Sequence, residues 1–243
     1  MMFKKIALAG ATAAALAFGA TSASAVPTTG LWLAMDGSGS ISGADFAVQI
    51  NGYVAALNGF FGGHPTAFGQ VAIGGNIFGA NQTTFFAMDT IDNAADLAAL
   101  TGAIGALNPG RGGINTGGTA IGNAINTGTA ALLAFEAANG GNMRLVIDVT
   151  TDGENNTGAL PGPASNAATA AGVNAVNCLG IGAGADCSFI GTNGTNFGTV
   201  SFAGLAAALE KKIATETVPE PMSLALVGMA LVGLGLTRRR KAA

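Results

Sequence analysis

Asp36-Gly37-Ser38-Gly39-Ser40 sets one carboxylate and two hydroxyls at alternate positions. The glycines between them allow positive φ and close backbone approach, so the three oxygens can curl toward one point. Short oxygen-bearing side chains on a tight loop suit a hard divalent cation, and magnesium takes oxygen ligands in near-octahedral geometry at about 2.0–2.1 Å. Two later stretches would complete such a set. Gly117-Gly118-Thr119 delivers a hydroxyl just ahead of a helical pattern, and Asp152-Gly153 closes an apolar strand with a second carboxylate. Thr116 competes with Thr119, which has the glycine pair before it and the helix after it. Asp148 competes with Asp152, but strand alternation puts Asp148 among apolar neighbours, where an ionised carboxylate must be paired or hydrogen-bonded. It therefore reads as structural or as support for a ligand. The rival reading of Asp36, Ser38 and Ser40 is a helix-capping loop with solvated side chains, because Ser and Asp favour caps without any metal.

The elements that must position these residues follow from periodicity. Leu31-Trp32-Leu33-Ala34-Met35 and Leu145-Val146-Ile147-Asp148-Val149 are short apolar runs that read as buried parallel strands, each leading into one of the carboxylates. Ser42-Gly43-Ala44-Asp45 has the form of a capping box and opens a helix with Phe46, Ile50, Tyr53, Leu57 and Phe60 at helical spacing. Its N-terminus would aim partial positive charge and free amides at the serine loop. Residues 70–78 and 83–88 predict a strand pair, and 92–107 a helix. A further helix follows Thr119, with Ile121, Ile125, Leu132 and Phe135 on its apolar face. A helix over 164–171, strands over 173–179 and 199–202 and a closing helix over 205–217 complete the pattern. Alternating strands and helices imply an α/β architecture, a doubly wound and mostly parallel sheet flanked by helices. Ligands of such sheets bind beyond the carboxyl ends of the strands, where the strand order reverses. No internal repeat is apparent.

At these residues the chain resembles the von Willebrand factor A (vWA) family, in an uncharacterised bacterial branch. The resemblance rests on the Asp-x-Ser-Gly-Ser loop, the Gly-Gly-Thr-Ala-Ile-Gly segment at 117–122 and the strand ending at Asp152-Gly153, and it covers residues from about 30 to 216. It implies a Rossmann-like fold and a metal-ion-dependent adhesion site (MIDAS) with Asp36, Ser38, Ser40, Thr119 and Asp152 as ligands. Magnesium would be the cation, with manganese or calcium as alternatives.

Both ends of the 243-residue chain read as processing segments. A basic start with Lys4 and Lys5, an apolar run from Ile6 to Phe18 and Ala23-Ser24-Ala25 have the order of a secretory signal peptide over residues 1–25, cut by signal peptidase. After a vWA-like domain over 26–217, residues 218–243 hold Pro219-Glu220-Pro221, an apolar stretch over 222–236 and Arg238-Arg239-Arg240-Lys241. Fifteen helical residues rise about 22 Å against a hydrocarbon core of about 30 Å, which allows only transient membrane contact. This layout resembles the PEP-CTERM sorting signal of Gram-negative bacteria. The resemblance implies removal by an exosortase and delivery to the cell envelope, cell surface or extracellular matrix. A plain single-span transmembrane helix is the alternative. Cys178 and Cys187, the two cysteines, are expected to form a disulfide in an exported chain.

Composition narrows the function classes. Six of the ten basic residues lie in the end segments, while of the 13 acidic residues only Glu220 does, so residues 26–217 carry a net charge of −8. That surface repels nucleic acid and favours divalent cations. A single histidine beside Pro65 leaves no Ser-His-Asp set, and no Gly-x-Ser-x-Gly elbow occurs. The expected function is therefore non-enzymatic: a cation-dependent adhesion or ligand-binding domain whose partner is a protein or polysaccharide. A metal-assisted envelope hydrolase and a structural matrix protein with an empty site are the alternatives. Glu154, Asn155 and Asn156 read as turn formers, with contact to a bound partner as the other option.

Overall fold

Strand β1, Thr29–Asp36, is buried along its whole length, as a strand of a helix-covered parallel sheet must be. The computed structural model describes residues 26–217. The signal-peptide and sorting-signal segments, with the apolar stretch over 222–236, lie outside these. Among the described residues no helix is long and apolar enough to cross a membrane.

From β1 the chain runs through α1 (Gly43–Gly63), β2 (Val71–Phe78), β3 (Gln82–Thr90), α2 (Ala94–Gly105) and α3 (Ile121–Ala138). It continues through β4 (Arg144–Thr151), α4 (Pro161–Ala171), β5 (Ala175–Ile181), β6 (Asn196–Val200) and α5 (Leu205–Thr217). The six strands lie in the order β3-β2-β1-β4-β5-β6. Only the β2–β3 pair is antiparallel. The order reverses between β1 and β4, so their carboxyl ends flank the crevice where such sheets hold ligands.

Side-chain alternation divides the core in two. Leu31, Leu33, Met35 and Val146 pack with α1, α2 and α5, while Trp32, Ala34, Leu145, Ile147 and Val149 pack with α3 and α4. Trp32 anchors the second layer. Its Nε1 donates to Asn76 Oδ1 at 3.0 Å inside the core, and α3 crosses it at Gly128, where an added Cβ would stand 2.5 Å from the indole.

The start of α1 bears out its capping pattern: Ser42 is the N-cap and its hydroxyl oxygen accepts from the Asp45 amide at 3.1 Å. Helix α2 starts later than the expected 92–107, because Asn93 caps it by accepting from the Ala95 and Asp96 amides, and it ends at Gly105. The expected disulfide is present, joining Cys178 on β5 to Cys187 in the loop that follows.

Asp148 is fully buried and meets Lys212 of α5 in an ion pair. On α5, Lys212 and Glu216 continue the spacing of Leu205, Leu209 and Ile213, so two charged residues occupy the helix's inward face.

Candidate metal centre

The site begins where β1 and β4 end. Asp36 is buried, and both its carboxylate oxygens accept hydrogen bonds: Oδ1 from the Ser38 amide at 2.8 Å, Oδ2 from the Thr151 hydroxyl at 2.6 Å. Ser38 Oγ lies 2.9 Å from Ser40 Oγ. Ser40 Oγ in turn donates to Asp152 Oδ1 at 2.7 Å, across a sequence separation of 112. Side-chain hydrogen bonds therefore link Ser38, Ser40 and Asp152, and Asp36 joins them through the Ser38 amide.

Thr119 reaches the same edge through its backbone. Its amide donates to Asn156 Oδ1 at 2.8 Å, and its carbonyl accepts from the Asn156 amide at 3.1 Å. The next residue, Ala120, donates to Gly79 O just past the end of β2, and Gly37 donates to Phe78 O beside it. Thr116, the rival, is exposed; its carbonyl accepts from the Gly39 amide at 2.8 Å and ties this loop to the serine loop. Thr119 is buried. Asp148 faces the opposite layer of the core, which separates it from the site.

Three residues outside the sequence-derived set hold the loop in place. Gln49, buried on α1, donates Nε2 to Asp36 O at 2.8 Å. Arg111 donates to the carbonyls of Gly37, Ser38 and Ile41, with its guanidinium 4.7 Å from the centre of the Phe46 ring. Thr151 fixes the Asp36 carboxylate. Asn156, read from sequence as a turn former or a partner contact, instead turns its side chain inward to the Thr119 amide. Asn155 Oδ1 likewise faces the Gly122 amide at 3.4 Å.

Electrostatics at Asp36 favour a cation. Burial pushes its carboxyl above the usual range, hydrogen bonds from Ser38 and Thr151 pull it back, and the charge of Asp152 pushes it up again. Two carboxylates held in electrostatic reach of each other, one of them buried, are relieved when positive charge sits between them. Because Ser40 spends its proton on Asp152, Ser38 is the donor in the Ser38–Ser40 contact, and one Ser40 lone pair stays open to a cation. Among the described residues no three His, Cys, Asp or Glu side chains cluster as a metal site would. The donors are oxygens only, a set that suits magnesium, manganese or calcium better than a thiolate- and imidazole-seeking ion. The residues fit a hard divalent cation.

In fold the chain is similar to proximal thread matrix protein 1 (PTMP1) from the mussel byssus, at 21% identity and a TM-score of 0.61, over 77% of this chain and 47% of that one. Another structure of PTMP1 has a zinc-occupied MIDAS motif. A von Willebrand factor type A structure from Catenulispora acidiphila is similar at 15% identity and a TM-score of 0.60, over 80% of this chain and 44% of that one. The pilus adhesin SpaC from Lactobacillus rhamnosus GG is similar at 14% identity and a TM-score of 0.57, over 79% of this chain and 31% of that one. The chain spans less than half the length of these structures, and likeness at such identity speaks to fold. No curated protein matches the chain by sequence. The family model described as Protein of unknown function (DUF1194) matches residues 25–197, and on that match the chain belongs to the DUF1194 family, with a von Willebrand factor A fold.

Proposed function

We propose that the domain is a cation-dependent adhesion module, with Asp36, Ser38, Ser40, Thr119 and Asp152 as the residues that hold the ion. The observation that carries this reading is the Ser40–Asp152 hydrogen bond at 2.7 Å, which joins the loops after two adjacent strands that are far apart in sequence, beside the buried Asp36. A divalent cation bound there supplies a Lewis-acidic centre for an oxygen donated by a partner protein or polysaccharide. The five residues would supply five oxygens, one fewer than the six that magnesium takes. This chain's own residues set the geometry: Gln49, Arg111, Thr151 and Asn156 fix the loops, and Asp36 supplies buried negative charge.

The zinc-occupied MIDAS motif of PTMP1 and the pilus adhesin SpaC support the reading. We read the site as non-catalytic. The single histidine, His64, lies after α1 and pairs its Nδ1 with Phe60 O at 3.0 Å, engaged away from the crevice. Export through the signal peptide and exosortase processing at the PEP-CTERM segment belong to the same proposal and would bring the domain to the cell surface or matrix.

The test is retention of the purified protein on envelope polysaccharide and on isolated surface protein in magnesium. Binding that is lost on chelation and regained on adding metal is expected. Equal retention with and without chelator would contradict a metal-dependent role.

A further inference from the structure

Beneath α5 lies a group of ionisable side chains that the cation site does not use. Lys212 and Asp148 are 0% exposed and Glu216 1%. Lys212 Nζ is in direct contact with Asp148 Oδ1 and 3.9 Å from Glu216 Oε1. The Phe197 ring covers the amine, its centre 5.3 Å from Nζ. Asn177 Nδ2 donates to Glu216 Oε1 at 2.7 Å, and Arg144 donates to the Glu216 backbone carbonyl.

As an ion pair this arrangement is poorly supported. Buried charges recover their desolvation cost only when the remaining lone pairs and protons are hydrogen-bonded. Apart from Lys212, neither oxygen of Asp148 has a partner among the described residues, and Glu216 Oε2 has none. The nearest further acceptor for Lys212 Nζ is Val149 O at 3.5 Å. Lys212 and Asp148 thus sit in the core with one contact between them, and Glu216 stands beside Lys212.

We propose that Lys212 Nζ and Asp148 Cγ are joined as an intramolecular amide, with Glu216 as the proton carrier. Proton transfer within the ion pair first gives a neutral amine and a carboxylic acid, with no change in net charge. The Nζ lone pair then attacks Cγ and the N–C bond forms. Glu216 takes a proton from Nζ and returns one to the departing oxygen, the C–O bond breaks, and water leaves. Nothing is oxidised or reduced, and no co-reactant is needed. The product replaces two buried charges by one neutral amide whose N–H points toward Val149 O.

The local electrostatics suit these steps. Burial draws the Lys212 ammonium down to about 8, against the pull of Glu216, and burial holds the Glu216 carboxyl above the usual range. Both shifts favour the neutral forms, as general acid–base chemistry requires. The bond would tie β4, at the centre of the sheet, to α5, from which the chain continues toward residues 218–243. Pulling on that end would load a covalent link instead of helix packing.

Peptide mapping of the full-length protein with a glutamate-specific protease, after disulfide reduction, tests the bond on the wild type, because Asp148 and Lys212 then fall in peptides 137–154 and 211–216, which are not adjacent in sequence. The expected product is a branched species joining the Asp148 peptide to the Lys212 peptide, lighter than the two together by one water. Lys212→Arg and Asp148→Ala should each give no branched species, and Glu216→Gln should leave most chains unlinked while thermal unfolding stays cooperative. Separate wild-type peptides at full mass would reduce the contact to an ordinary ion pair and overturn the proposal. Linkage in Glu216→Gln equal to wild type would overturn the role of Glu216. Because the decisive reading is made on the wild type, a variant that fails to fold does not obscure it.

Discussion

Ser40 and Asp152 meet through a 2.7 Å hydrogen bond although 112 positions separate them, and Asp36 lies buried just behind. The fold accounts for this. Both loops leave adjacent parallel strands at the point where strand order reverses, so the chain has no other place to bring them together. The arrangement of the site is a consequence of topology as much as of residue type.

Arg111 holds the serine loop by three backbone carbonyls. Arg111→Ala should lower unfolding free energy by about 2 kcal/mol, the scale of charge-assisted hydrogen bonds to one group. It should also weaken magnesium binding by about tenfold, as loss of a supporting residue does. Arg111→Lys should restore little, because a single ammonium cannot span three carbonyls. Denaturant unfolding and calorimetry check both effects, and metal affinity unchanged in Arg111→Ala would mean that the loop holds its shape unaided.

Metal binding should weaken on acidification sooner than an ordinary aspartate would suggest. The Asp36 carboxyl is held above its usual range by burial, so protons compete for it at higher pH, and the ion requires the deprotonated form. The sign for the metal-free fold is opposite. Its Asp36 binds a proton more readily than the unfolded chain's, so Asp36 costs stability above its folded pKa, and that cost is relieved as pH falls through it. Thermal unfolding between about pH 4 and 7, with and without saturating magnesium, should therefore show a metal-induced stabilisation that shrinks toward acid. A stabilisation independent of pH would exclude Asp36 as a ligand.

Much of the fold was legible in the sequence because each element carries its own period. The apolar runs leading to Asp36 and Asp152, the box at Ser42–Asp45 and the face of 205–217 are local signals. Four supporting residues were not read. Arg111 acts on Gly37 from 74 positions away, and Gln49 and Thr151 reach Asp36 only once strands and helix have docked. Asn156 sits in a turn-forming run whose composition gives no hint that its side chain faces inward. One signal was available for Arg111: it is among the few cations between residues 26 and 217. Lys212 and Glu216 were not read either, although they share the spacing of Leu205, Leu209 and Ile213, and Asp148 was expected to need a partner.

The Trp32 anchor makes Gly128 sensitive. Gly128→Ala would set a methyl 2.5 Å from the indole, and such overpacking costs about 1–3 kcal/mol. The expected result is a lower denaturant midpoint with a shifted emission of Trp32, the chain's single tryptophan. A midpoint equal to wild type would show that α3 can move off β1 at little cost.

The most direct test is calorimetric titration of the purified protein with magnesium or manganese, beside Asp36→Ala and Asp152→Ala. A one-site binding heat in the wild type that disappears in both variants is the predicted result. The same heat in all three proteins, or none in any, would contradict a cation site at the ends of β1 and β4.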